Sequence, residues 1–321
     1  MQAILAVTVP FFALVLAGYL AGRRHVLPES AIPGLNAFVL YFALPCLLFR
    51  FGMNTPLFEL LNPVVLGAYV LAALLIVFLT ISLTSSERVG LKDAAFGALV
   101  AAFPNTGFMG VPLLVALLGP AAAGPVICIV LADLFVTSSL CIGIAQAHEA
   151  SGHGSSVAVK RALRGALSNP LPWAIALGAA FSVAGVQLSG PVEVVVRMLA
   201  DAATPVALFT IGTVLWRAGQ HSHSRTRVAD YLPVALIKLF VHPLLVFALS
   251  AGAHAAGAPL SSFQVVVLTL AAALPSASNV SLLAERYGAD NGRIARIVMS
   301  STALAFVSFS GLAWLFGVQP K

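Results

Sequence analysis

Long apolar runs alternate with short polar breaks along the whole chain. Runs long enough to span a bilayer, roughly 17–25 residues, recur from end to end, separated by charged or Pro/Gly-rich stretches. This pattern predicts ten spans, at approximately 2–22, 31–53, 62–83, 93–118, 122–146, 168–188, 191–216, 231–255, 262–285 and 291–317. No stretch between them is long enough to fold alone. The first run has no basic region before it and no small-residue cleavage site after it, so it reads as a retained helix rather than a signal peptide.

Composition points the same way. Of 321 residues, 60% are hydrophobic and 9% are charged, and mean hydropathy is +1.00. A soluble domain carries roughly 25% charged residues because its surface faces water. Here the apolar surface must face lipid. The three cysteines, Cys46, Cys128 and Cys141, lie inside apolar segments without metal-ligand or CxxC spacing, and read as small packing residues. No nucleotide-binding or hydrolase motif is present, no cofactor is expected, and there is no stretch for a soluble catalytic domain.

Charge changes the picture through its distribution. The net charge of +6 does not indicate nucleic-acid binding, since the basic residues sit in short connections beside apolar runs. Arg23, Arg24, Arg88, Lys92, Lys160, Arg161, Arg164, Arg217, Arg225, Arg227, Arg286, Arg293 and Arg296 all fall in or beside the odd-numbered connections. The even ones have only Arg50 and Arg197 nearby, while Lys238 is intramembrane and Lys321 terminal. The positive-inside bias then makes the odd connections cytoplasmic. Both termini would be periplasmic in a bacterial inner membrane. The alternation holds only for an even number of spans, which supports ten independently of hydropathy.

The most polar connection, 148–167, divides the chain into 1–147 and 168–321, with five spans in each part. An odd number per half means that halves sharing a fold lie inverted in the membrane. Three correspondences suggest that they do. Leu44-Pro45-Cys46 in the second span matches Thr204-Pro205-Val206 in the seventh, and Phe103-Pro104-Asn105-Thr106 in the fourth matches Leu274-Pro275-Ser276-Ala277 in the ninth. Gly119 and Gly124 precede the fifth span as Gly288 and Gly292 precede the tenth. The expected fold is therefore an all-α integral membrane protein of about ten transmembrane helices, an inverted five-plus-five repeat with helices 4 and 9 broken and crossing.

Paired proline-interrupted helices in two halves point to a midplane binding site. Proline removes a backbone donor and clashes with the preceding turn. A broken helix is tolerable at that depth only inside protein or beside a water-filled cavity. Half-helix N-termini meeting there would suit an anion.

The segment Phe103-Pro104-Asn105-Thr106-Gly107-Phe108-Met109-Gly110-Val111-Pro112-Leu113-Leu114 is the most distinctive in the chain. It resembles the fourth-helix motif of the auxin efflux carrier family, whose bacterial members include proteins assigned as malonate carriers. Thr204 to Gly212 resembles that family's seventh-helix hallmark, and Lys238-Leu239-Phe240-Val241-His242-Pro243 a third. The resemblance covers essentially the whole chain, which lacks the long central loop of many plant members. It implies a ten-helix inverted repeat with a scaffold part and a transport part.

Candidate site residues follow from the breaks and the intramembrane charges. Pro104, Asn105 and Thr106 in the fourth span, and Pro275, Ser276, Ser278 and Asn279 in the ninth, are expected to contact substrate or coupling ion; the bland alternative is that they satisfy backbone freed by the prolines. Gly107 and Gly110 read as packing positions. Asp133, mid-span, is a coupling acid by default, or else a partner for a hydroxyl or for Lys238. Asp201 is either a second coupling acid or a cap where the helix opens before Pro205. Lys238 and His242 share a helical face four residues apart; Lys238 attracts a carboxylate or pairs with an acid, and His242 packs or hydrogen-bonds. His25, His148, His153, His221, His223 and His254 fall mostly in loops.

The leading expectation is a secondary carrier of a small carboxylate such as malonate, working by alternating access, with proton or sodium coupling. Expected partners are the carboxylate, a proton or sodium ion, the lipid bilayer and a second copy of the chain as a homodimer, with no nucleic acid. A sodium-coupled organic anion symporter of the bile acid transporter type is the runner-up. A membrane enzyme would need ionisable groups clustered at one depth, whereas here they are spread over several spans. A channel would need a polar stripe along a pore.

Overall fold

The computed structural model describes residues 1–147, 167–220 and 226–320, and among them the regular structure is helical, with no strand. The helices are α1 (Gln2–Arg23), α2 (Ala31–Asn54), α3 (Pro63–Thr84), α4 (Leu91–Ala102), α5 (Thr106–Leu118), α6 (Pro120–Gln146), α7 (Pro170–Ala184), α8 (Gly190–Gln220), α9 (Val228–Ala255), α10 (Ser262–Ala272), α11 (Val280–Arg286) and α12 (Asn291–Leu315). A one-turn helix, Leu57–Leu60, precedes α3. Among the described residues seven helices are long and apolar enough to cross a membrane: α1, α2, α3, α6, α8, α9 and α12. The protein is thus a multi-pass membrane protein. Apart from Leu167, the expected linker 148–167 lies outside the described residues, with His148, His153, Lys160, Arg161 and Arg164, as do His221, His223 and Arg225.

Three predicted spans are represented by shorter apolar helices. The fourth is divided into α4 and α5, and the ninth into α10 and α11, with non-helical chain between the parts. The sixth is α7, about 22 Å long at 1.5 Å per residue, which ends at Gly185 in the left-handed conformation (φ +65).

Polar residues at the helix starts take up backbone donors that helices leave unpaired. Asn62 accepts from the N–H groups of Val64 and Val65 at 3.0 and 3.2 Å. Asn169 accepts from Leu171 at 3.0 Å, and Asp290 from Arg293 at 2.9 Å. Ser261 and Gln264 form a reciprocal capping box at the start of α10.

Packing gathers the helices into two groups. In one, α1 lies along α8 and α2 along α7 and α8; in the other, α3, α4, α6, α9, α10 and α12 pack together. Glycine makes the first group tight. A side chain at Gly212 would collide with the carbonyl of Val15, and one at Gly178 with the carbonyl of Phe49, so these helices meet backbone to backbone. Ion pairs brace α2 and its approach against α8 at both ends, Arg217 with Glu29 and Arg50 with Asp201. In the second group α3 buries Val65, Tyr69, Ala72, Ala73, Ile76, Val77 and Thr80 while Leu71, Leu75 and Phe78 face outward. Arg293 of α12 is buried, donating to the carbonyls of Asp230 and Asp93 at 2.8 Å each, and so ties α4, α9 and α12 together.

The proline correspondences divide into two kinds. Pro104 and Pro275 mark real breaks. Pro45 instead follows a widened π turn, Val39–Ala43, within an otherwise continuous α2, and α8 runs unbroken through Pro205. Two further π turns precede Pro112 and Pro243, where a wider turn relieves the clash of the ring with the preceding carbonyl.

Candidate functional site

Where α4 ends, the chain leaves the helix at Phe103, which is extended, and residues 103–105 meet residues 275–277, which lie between α10 and α11. The two breaks pair as a single antiparallel bridge centred on Pro104 and Ser276. Asn105 N–H donates to Pro275 C=O at 2.8 Å and Ala277 N–H donates to Phe103 C=O at 3.0 Å. Pro104 occupies the position of this bridge that needs no donor. Its opposite number, Ser276, turns its N–H outward to the hydroxyl of Ser301 on α12 at 3.2 Å. The sequence aligns Pro104 with Pro275, but the bridge relates Pro104 to Ser276, a register one residue further on.

The carbonyls that the breaks orphan are taken by side chains. In an unbroken helix Val100 C=O would receive the N–H of residue 104, which proline lacks; Ser276 Oγ donates to it instead at 2.7 Å. Ala102 C=O, at the end of α4, is 3.3 Å from the Tyr69 hydroxyl. Ala272 C=O, at the end of α10, accepts from Lys238 Nζ at 2.5 Å. Tyr69 and Lys238 come from α3 and α9, the third and eighth predicted spans.

Asp133 is fully buried in a π turn of α6, with Tyr69 OH 3.0 Å from each carboxyl oxygen and Thr137 Oγ1 at 3.1 Å. Hydroxyl partners are therefore in place, and Asp133 is not in ion-pair contact with Lys238 among the described residues. Thr106 Oγ1 lies over its own chain, 3.5 Å from Pro104 C=O. The Asn105 side chain is 3% exposed and has no hydrogen-bond partner among the described residues. Ser278 is buried beside the break, and its carbonyl accepts from Ser281 Oγ at 2.8 Å.

A cavity of about 840 Å³ reaches the crossing. It is lined by Phe103 and Phe108, by Leu134 and Ser138 of α6, and by Asn279 and Arg286. Asn36 and Tyr41 of α2, Gln146 at the end of α6, residues 168–170 before and at the start of α7, and Tyr287 also line it. Gln146, residues 168–170 and Tyr287 adjoin the fifth and ninth predicted connections, which are rich in basic residues. Arg286 is the cation of the lining, and no Asp or Glu lines the cavity among the described residues.

The structure thus brings Pro104, Asn105, Thr106, Pro275, Ser276 and Ser278 together at one crossing, with Asn279 on the cavity wall. Lys238 is beside the crossing but not in that wall; its ammonium is occupied by Ala272 C=O and His242. Asp201 stands apart. The helix does not open before Pro205, so there is no end for it to cap, and Asp201 instead pairs at 3.2 Å with Arg50 on the outer surface. Tyr69, Ser301 and Arg286 were not among the sequence candidates. Tyr69 and Ser301 are ordinary apolar-helix residues in the sequence, and Arg286 is legible there only as part of the charge bias.

Two broken helices pair beside this cavity, and comparison with known proteins places the chain in the transporter class. The chain belongs to the membrane transport protein family, the auxin efflux carriers, whose profile matches residues 3–313. It is similar to the "Putative malonate transporter" of Rhizobium meliloti (strain 1021), with 26% identity over 98% of this chain and 96% of that protein. It is also similar to "Uncharacterized transporter YfdV" of Escherichia coli (strain K12), with 24% identity over 96% and 95%. An "Uncharacterized transporter" of Methanothermobacter thermautotrophicus shares 28% identity over 92% of both chains. These relatives are named as transporters rather than enzymes.

Proposed function

We propose that this protein is a secondary carrier that moves a small organic carboxylate such as malonate across a bacterial inner membrane by alternating access. The observation that carries this reading is the cavity above the crossing. Among the described residues its lining has a cation, Arg286, and no carboxylate, with amides and hydroxyls from Asn36, Asn279 and Ser138. Such a surface favours an anion and offers donors to orient it. At about 840 Å³ the cavity is of small-molecule size, within roughly 300–1,000 Å³.

The accompanying arrangement is ten spans in two inverted repeats, 1–147 and 168–321, joined by a cytoplasmic connection at 148–167. Both termini are periplasmic, and the cavity faces the cytoplasm. Phe103 and Phe108 separate substrate from the far side in this state. Asn105, Thr106, Ser276, Ser278 and Asn279 are the contacts that the crossing offers once substrate passes Phe103. The group containing α1, α2, α7 and α8 serves as the frame, against which the group carrying the crossing moves.

Uptake of radiolabelled malonate into proteoliposomes, under imposed proton or sodium gradients, tests this reading. Saturable uptake is expected, competed by other small dicarboxylates. Absence of uptake and of exchange for every small carboxylate tried, with protein shown to be folded, would overturn it. Stimulation by a sodium gradient alone would favour a symporter of the bile acid type.

A further inference from the structure

We propose that Lys238 and His242 form the proton-coupling site of this carrier, a pair of bases sharing one proton beside the crossing. The proposal rests on the carboxylate-carrier reading above and assigns its driving ion. Both side chains are fully buried within α9, Lys238 in the π turn Ile237–Val241 and His242 directly after it. Lys238 Nζ lies 3.2 Å from His242 Nδ1 and donates to Ala272 C=O.

A purely structural role does not account for this choice of residues. The carbonyl that ends α4, Ala102 C=O, faces a neutral hydroxyl, that of Tyr69 at 3.3 Å, whose single proton is shared with the nearer Asp133 carboxyl at 3.0 Å. A hydroxyl or an amide would serve Ala272 equally well without the cost of a charge at membrane depth. The second half instead places two bases in contact. A histidine held only for structure would be expected to bond through both ring nitrogens, yet His242 Nε2 is buried with no partner among the described residues.

The chemistry of the pair follows from its hydrogen bond. For Nζ and Nδ1 to bond, one must donate and the other accept. With both groups neutral the pair carries no charge; with one added proton it carries a single positive charge, and the bond survives in either state. A second proton would turn two donors toward each other. The pair therefore binds one exchangeable proton and titrates as a unit. The step is a proton transfer from hydronium to one nitrogen lone pair, leaving water, and the reverse transfer to water releases the proton on the other side.

The surroundings are suited to that charge. From α3, the Tyr69 ring lies 5.9 Å from the His242 ring, and its hydroxyl binds Asp133. From α6, Asp133 is the acidic group held on the far side of Tyr69, and Cys141 is a further titratable group of that helix. Helix α10 brings no ionisable side chain. Lys92 and Asp93 of α4, and Arg293 and Arg296 of α12, lie within the first two turns of their helices. A positive charge on the pair also sits at the C-terminal end of α10, where the helix dipole favours it. Proton binding thus adds one positive charge next to the path of an anion, and the two would move together.

The test uses the purified full chain. In proteoliposomes, wild type is expected to accumulate radiolabelled malonate above equilibrium when the interior is alkaline. Lys238→Gln, whose amide can still donate to Ala272 C=O, and His242→Gln are expected to keep malonate counterflow, which reports folding and binding, and to lose gradient-driven accumulation. Accumulation that persists in both variants overturns the proposal. The pair is also judged without variants or substrate, by NMR of 15N-labelled His242 and 13C-labelled Lys238 in micelles across a pH series. Both signals are expected to change over the same pH interval; independent midpoints overturn the pair. Should wild type move no malonate under any condition, the carboxylate reading has failed, and the NMR result still decides whether the shared proton exists.

Discussion

Ser276 donates its hydroxyl to the carbonyl of Val100 at 2.7 Å, and Val100 stands four residues before Pro104. The bond fills the place of an N–H that proline cannot supply. A residue of the second half thereby completes the helix broken in the first, and the two breaks are stable only in each other's company. This mutual dependence explains how extended backbone persists at membrane depth, where no solvent is at hand to satisfy it.

Replacing Ser276 with Ala leaves the Val100 carbonyl buried and unpaired. The expected loss is about 1–3 kcal/mol of stability, the cost of an unsatisfied buried polar group. The unfolding midpoint in detergent reads it. In a Pro104→Ala background, which restores an N–H four residues after Val100, the same substitution should cost clearly less. Equal costs in the two backgrounds would mean that Ser276 does not compensate Pro104, since the coupling between the sites would then be absent.

Asn105 makes the opposite prediction. Its backbone is fixed by Pro275 and by the N–H groups of Met109 and Gly110 at 3.1 and 2.9 Å, but its side chain holds no partner among the described residues. Removal of an unpartnered amide should leave the unfolding midpoint unchanged or raised. If the amide meets substrate, Asn105→Ala should lower malonate transport at least tenfold, about 1.4 kcal/mol. A variant that melts early yet transports normally would make the residue structural.

Arg286 is exposed on the cavity wall, so its contribution to anion binding is screened. Removing it should cost about 1 kcal/mol, the upper range for an exposed charge contact. That corresponds to roughly a fivefold rise in the KM for malonate in Arg286→Gln, with less change in Arg286→Lys. The difference from wild type should shrink at high ionic strength. Identical KM values at low salt would remove Arg286 from the substrate path.

The breaks were legible in the sequence because a proline inside an apolar run, followed by Asn-Thr or Ser-Ala-Ser-Asn, has few uses in lipid. Their register was not, because it is fixed by pairing between segments far apart in the chain, and no local signal distinguishes Ser276 from Pro275 as the partner of Pro104. Lys238 and His242 were legible as one helical face, yet their partner Ala272 is a backbone carbonyl without a signature of its own. Asp201 is legible as an acid in an apolar helix, but its pairing with Arg50 is not, because the two lie 151 residues apart in the chain. Arg286 is legible in the sequence only as a topogenic charge, since its place in the cavity lining depends on how α11 packs against α4 and α12.

The frame makes a prediction independent of substrate. A methyl group added at Gly212 would overlap the Val15 carbonyl and come within 2.9 Å of the Gly18 carbonyl carbon, whereas one added at Gly34 would meet nothing within 4 Å. Both are Gly→Ala changes on α-helices of the same group, so differences in intrinsic helix propensity largely cancel. Gly212→Ala must push α1 and α8 apart, at a cost of about 1–3 kcal/mol for overpacking. Gly34→Ala should be neutral or slightly stabilising, because alanine loses less backbone freedom in a helix. The unfolding midpoints of the two variants, measured side by side in one detergent, check this. A Gly212→Ala midpoint equal to that of Gly34→Ala would show that the close approach of α1 and α8 is not what holds the frame. If instead the midpoint falls while the malonate KM of the surviving protein stays at the wild-type value, the frame and the substrate path are energetically separate.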